Sequence, residues 1–216
     1  MFSDGIKEVL RAVTSSLQIP AIIILLLLIG VTIVMLGSIL AEFFSERRRL
    51  KVKIPLLIDE MQGKTNEEVG LLMKQSGLLK RQKRALDLLI QRGNLPEGER
   101  EALARQLIFE EQSHYDKIRR ITDLIAKIAP MFGLMGTLIP LGPGIIALGQ
   151  GDTKTLSASL LVAFDTTVAG LISAAVSYVI SNIRSRWYEE YMVGLETIME
   201  CILEEQSRGG EKHASK

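Results

Sequence analysis

Cys201 is the only cysteine among 216 residues. That excludes an intramolecular disulfide and a cysteine-rich metal site. Histidine is nearly as scarce, with only His114 and His213. Neither charge sign is in excess: 26 basic residues face 25 acidic ones, for a net charge of +1. Such a balance says little about partners and gives no ground for a nucleic-acid one. The chemistry-bearing signatures are missing too. There is no G-x-S-x-G, no H-E-x-x-H, no P-loop and no pair of aspartates within the apolar runs, so an intramembrane enzyme is the weakest of the function classes. No metal or cofactor is expected.

What the chain has in quantity is apolar sequence gathered into three runs. A bilayer core about 30 Å thick takes about 20 helical residues. Pro20 to Ala41 supplies 22 residues, or about 33 Å of helix. Ile128 to Leu148 supplies 21 without a charge. Thr155 to Ile183 is longer and has one charged residue, Asp165. The pattern predicts an all-α integral membrane protein with three transmembrane helices and a large helical segment on one side. The first run exceeds a signal-peptide core and lacks a small-residue cleavage site, so it reads as a retained anchor.

Lys/Arg bias sets the expected orientation. Lys7 and Arg11 precede the first span, whereas Arg47, Arg48, Arg49, Lys51 and Lys53 follow it. Lys117, Arg119, Arg120 and Lys127 precede the second, Lys154 lies in the turn after it, and Arg184 and Arg186 follow the third. All three spans agree on an outside N-terminus and a cytoplasmic C-terminus. The expected layout is an amphipathic lead-in over 1–18, a first span over 19–42 and a cytoplasmic segment over 43–127. A second span over 128–148, an outside turn over 149–154 and a third span over 155–183 follow. A cytoplasmic amphipathic helix over 184–206 and a disordered tail over 207–216 end the chain.

Local signals fill in this layout. Ile6, Val9, Leu10, Val13 and Leu17 recur at helical spacing, as in a helix lying on a membrane surface. The first span lacks an interior charge and is expected to face lipid. Thr65 and Glu68 read as a capping box opening a helix that runs to about Arg92 and stops at Gly93-Asn94. Pro96 suits the start of a second helix, whose apolar pattern continues into the second span without a strong break before Pro130. The basic run Lys80 to Arg84 reads as a solvated helix face, since acids are interleaved along the segment; a lipid- or nucleic-acid-binding patch is the alternative. His114, beside Glu110, Glu111 and Asp116, reads as a solvated side chain rather than a metal ligand. Trp187, Tyr191, Leu195, Ile198 and Ile202 make an apolar stripe for packing on the inside segment or on another subunit.

The second span carries Gly133, Gly136, Pro140, Gly142, Pro143 and Gly144. Small residues allow close helix approach, and the prolines free carbonyls that need protein or water partners. In the third span Ser159, Ala163, Thr166, Gly170, Ser173 and Ser177 share one arc, with Asp165 and Thr167 at its opposite edges. The Ser and Thr positions read first as helix packing and as bonds to the preceding turn. Asp165 reads as functional, because a carboxylate within a span costs about 3 kcal/mol on insertion scales. Whether it points into a pore or against a neighbouring helix stays open. A scaffold without ion flux, with Asp165 holding a helix contact, is the competing class.

Two motifs, A-P-x-x-G-L-x-G-T at Ala129–Thr137 and T-x-x-G-L at Thr167–Leu171, resemble the MotA/TolQ/ExbB proton channel family. Three spans and an outside N-terminus resemble its TolQ/ExbB branch; the flagellar stator MotA has four. The resemblance implies a ring-shaped homo-oligomer, a pentamer, whose second and third spans line a central pore. It implies a dimeric single-span partner of the ExbD/TolR/MotB kind that supplies a membrane aspartate, with proton flow coupled to motion of partner against ring. The family's pore threonines fall on Thr137 and Thr167. A glutamate of the ExbB branch aligns with Val162, and Asp165, about one turn on, stands in for it. The expected ion pathway is therefore Thr137, Asp165, Thr166 and Thr167. Gly133, Gly136, Pro140, Gly170, Ser173 and Ser177 pack helices or line the pore. The translocated ion is H⁺, with Na⁺ as the alternative.

Overall fold

The computed structural model describes residues 2–44, 54–61, 63–64 and 66–214, the side chains of 2–4, 7, 11 and 208–214 aside. Among the described residues seven α-helices follow one another: α1 Phe2–Ser16, α2 Gln18–Glu42, α3 Ile54–Met61, α4 Asn66–Gln75, α5 Lys80–Gln91, α6 Glu97–Gly149 and α7 Thr153–Ala214. Three of them, α2, α6 and α7, are long and apolar enough to cross a membrane. The chain divides into two compact units. The first comprises 1–39 and 120–183, and the second 40–119 and 184–216.

In the first unit three helices meet along narrow stripes. α2 buries Ala21, Leu25, Leu28, Thr32 and Ile39, a helical spacing that marks a single face. Leu28 packs with Ile125 and Ala129 of α6. The first span therefore packs one narrow face on helices; charge-free sequence cannot tell such a face from one turned to lipid. Ile23, Leu26, Leu27, Ile33 and Val34 on the rest of α2 are exposed, as are Ile6, Val9, Leu10, Val13 and Leu17 of the lead-in. At the other end of the unit Gln150, Gly151 and Asp152 link α6 to α7. Gly151 takes φ 79°, which glycine adopts without a Cβ penalty. Asp152 caps α7: its carboxylate accepts from the Thr155 amide at 3.0 Å and the Thr155 hydroxyl at 2.5 Å, satisfying amides that the first helical turn leaves free.

The second unit has a thicker core. Leu57 and Met61 of α3, Met73 of α4, Leu86 and Leu89 of α5 and Leu107 of α6 pack with Leu195, Ile198 and Ile202 of α7. The stripe from Trp187 to Ile202 is buried throughout, so it packs on the segment before the second span. Tyr115 stacks on Tyr188 with ring centroids 4.4 Å apart, and Phe43 on Trp187 at 6.1 Å.

Some boundaries differ from the sequence reading. The helix expected up to Arg92 is broken, with α4 ending at Gln75 and α5 starting at Lys80. Ser76 turns its hydroxyl onto the Met73 carbonyl at 2.6 Å, competing with the backbone for that acceptor, and Gly77 follows it. The Gln82 side chain then accepts from the Leu79 amide at 3.2 Å to open α5. Thr65, the expected cap, and the basic cluster 47–53 lie outside the described residues. α6 runs through Pro130, Pro140 and Pro143 without interruption. α7 continues from the third span to Ala214, so the amphipathic helix is not separate and the tail set apart from Ser207 is helical that far.

Candidate ion pathway

α6 and α7 run antiparallel through the first unit, and glycine sets their distance. A Cβ on Gly170 would lie 2.7 Å from the Ala129 carbonyl oxygen and 2.8 Å from the Gly133 Cα. A Cβ on Gly136 would lie 2.6 Å from the Thr166 side chain, and one on Gly144 3.1 Å from that of Ser159. Gly133, Gly136, Pro140 and Gly144 are all buried on this seam. Such contact lets dispersion and short polar bonds hold helices that the hydrophobic effect does not drive together in lipid.

This proximity brings two threonines together. The Thr137 and Thr167 hydroxyl oxygens are 2.6 Å apart. Thr137 also reaches the Gly133 carbonyl at 3.0 Å, and Thr167 reaches the same oxygen at 3.4 Å. Each hydroxyl has one proton to donate and lone pairs to accept with. One proton therefore spans the pair while the other rests on Gly133, and the arrangement works in either direction. Thr166 is placed differently. It fills the hollow over Gly136, and its hydroxyl is spent on the Val162 and Ala163 carbonyls at 2.9 and 3.0 Å. Ser173 is likewise buried and bonds the Ala169 carbonyl at 2.9 Å. Ser177 is fully buried and faces Thr32 of α2 at 3.3 Å.

Asp165 is on the other side of α7, exposed among Leu161, Phe164, Val168 and Ile172. Among the described residues it has no hydrogen-bond or ion-pair partner. Of the four pathway candidates, the fold joins Thr137 and Thr167, packs Thr166 between helices and leaves Asp165 on the outer face.

The sequence model of the MotA/TolQ/ExbB proton channel family matches residues 73–197, more than half of the chain. The chain belongs to the MotA/TolQ/ExbB proton channel family. No curated protein matches it. It is accordingly a multi-pass membrane protein of a proton-channel family, and the matched region holds the whole threonine and glycine seam.

The sequence reading passed over one polar feature of this family member. Ser181 donates a short hydrogen bond to the Asp123 carboxylate, with Thr122 fully buried beside it. The signal was present in the register: with Gly133 set against Gly170, ten residues back on α6 and eleven forward on α7 reach this pair. In the second unit Glu42 and Arg184 form an ion pair at 3.4 Å, with side chains only 16% and 4% exposed. Arg119 donates to the Ser185 hydroxyl at 3.1 Å. These bonds tie helix to helix away from the Thr137–Thr167 pair.

Proposed function

We propose that this chain is the proton-conducting subunit of an energy-transducing motor in the inner membrane, nearest in layout to the TolQ/ExbB branch. Its N-terminus is outside and its C-terminus cytoplasmic. Five copies enclose an axis lined by α6 and α7, and a single-span subunit with a membrane aspartate occupies that axis. Asp165 carries the reading. An unpartnered carboxylate on an otherwise apolar face costs about 3 kcal/mol per chain if it meets lipid, and several copies sharing a hydrated axis remove that cost. There the carboxylate stands on the path of the translocated proton. The Thr137–Thr167 pair supplies hydroxyls that order water or pass a proton between them.

The test is proton flux into vesicles holding the full chain with its co-purifying single-span protein, followed with an entrapped pH dye. Asp165→Asn and the double variant Thr137→Val/Thr167→Val are expected to keep the oligomer and lose flux by roughly tenfold or more. Flux that follows a sodium gradient instead would change the ion. A scaffold gives the opposite pattern: no flux above protein-free vesicles in the native chain, and loss of assembly in Asp165→Asn.

A further inference from the structure

The second unit carries a mainly basic face on α5, which shares a hollow with Glu110 and Glu111 of α6, and a mainly acidic outer face on α7, which shares one with Arg186. α5 turns Gln82, Ala85, Leu86, Leu89 and Ile90 inward and leaves Lys80, Arg81, Arg84 and Leu88 exposed. Arg81 is held by Glu111 at 3.0 Å, whereas Lys80 and Arg84 have no ion-pair partner among the described residues. α7 turns Tyr191, Leu195, Ile198 and Ile202 inward and leaves Glu190, Val193, Glu196 and Glu200 exposed. From Trp187 to Ser207 it has no lysine or arginine. One core separates the two faces, because Leu86 and Leu89 of α5 pack in the same cluster as Leu195 and Ile198 of α7.

The faces also stand level. The Gln82 side chain donates to the Tyr191 carbonyl at 2.9 Å, which sets Lys80 to Arg84 beside the stretch of α7 that carries Glu190 and Glu196. Each face has an exposed apolar residue among its charges: Leu88 is 40% exposed and Val193 64%. Contact between like faces of two copies would set positive on positive or negative on negative. A head-to-tail contact sets the mainly basic face on the mainly acidic one, and such contacts close into rings when the rotation permits.

Building on the homo-oligomeric reading above, we propose that the α5 face of one copy docks on the outer α7 face of the next. Lys80 and Arg84 meet Glu190 and Glu196 around a Leu88–Val193 centre. Complementary charge of this kind fixes register and suppresses wrong pairings.

The experiment introduces Leu88→Cys and Val193→Cys into the full chain in a Cys201→Ser background. These side chains point apart within one copy, so no disulfide closes inside the chain. Mild oxidation in membranes is expected to give a ladder of multimers with both cysteines and none with either alone. Reversing one face, by Lys80→Glu/Arg84→Glu or by Glu190→Lys/Glu196→Lys, should cut the ladder roughly tenfold or more. Combining both reversals should restore it. A dimer from one cysteine alone, a ladder indifferent to reversal, or no recovery in the combined variant overturns the contact. A native chain that runs as an oligomer but yields no ladder also overturns it and leaves the proton-channel reading standing. A native chain that runs as a single copy in membranes sinks both.

Discussion

Between Ala129 and Gly144, α6 meets α7 through residues with little or no side chain. Between Ala104 and Tyr115, the same helix packs through Leu107 and Ile108 into a core of leucine, methionine and isoleucine, and stacks Tyr115 on Tyr188. The difference follows the solvent each stretch is suited to. In water, apolar burial drives helices together and rewards large side chains. In lipid there is no such gain, and close backbone approach with short polar bonds takes over. In the first unit hydroxyls bond to carbonyls, as at Thr166 and Ser173, to one another, as at Thr137 and Thr167, or to a carboxylate, as at Ser181, while the second unit spans its gaps with the Arg81–Glu111 and Arg184–Glu42 pairs.

Substitutions that exchange the two packing rules should break each unit by its own mechanism. The largest effect is expected from Ile198→Ala, at a fully buried core position. It should cost about 2–5 kcal/mol through lost contacts and a cavity. Trp187 is the sole tryptophan and is buried in this unit, so its fluorescence reports the loss directly as an earlier melt. Gly170→Ala comes next. Its Cβ would press on backbone atoms that have no flexible end to move, and overpacking of this kind costs about 1–3 kcal/mol. The helical signal in circular dichroism should melt earlier while the Trp187 transition holds. An unchanged helical melt would show the seam to be looser than the 2.7 Å approach implies.

The smallest effect is expected at the α6–α7 turn. Hydrogen bonds from Thr155 hold the Asp152 carboxyl below its ordinary value of 3.8. A lowered value means that the ionised cap stabilises the fold above the ordinary pKa and that this is lost as pH falls through the lowered one. Asp152→Ala should therefore lower the melting temperature slightly near neutral pH. The gap from the native chain should narrow as pH drops below 3.8, and a gap independent of pH would remove the charge from the explanation.

Much of this architecture can be read from the residues. Span lengths follow from uninterrupted apolar runs, and the Trp187 to Ile202 stripe follows from its period. The Ser76–Gly77 break was masked because Leu71, Leu72, Leu78 and Leu79 keep an apolar pattern across it, while the competing Ser76 bond is local geometry. The side taken by Asp165 could not be fixed by a helical wheel, since a residue at the edge of an arc turns either way with a small rotation of the helix. The Asp123–Ser181 bond needed a register between two helices that no single segment contains. Thr137 and Thr167 were legible only through a family motif; that they touch, and that Thr166 does not join them, depends on where glycine lets the backbones meet.

The carbonyl shared by Thr137 and Thr167 has a kinetic consequence. On the proposed reading, a proton handed along the pair leaves both O–H bonds pointing the opposite way. A second proton then finds a donor where it needs an acceptor, until both hydroxyls swing back. Conduction through this pair would advance in single steps separated by a rotational recovery, and the recovery rather than the transfer would set the pace.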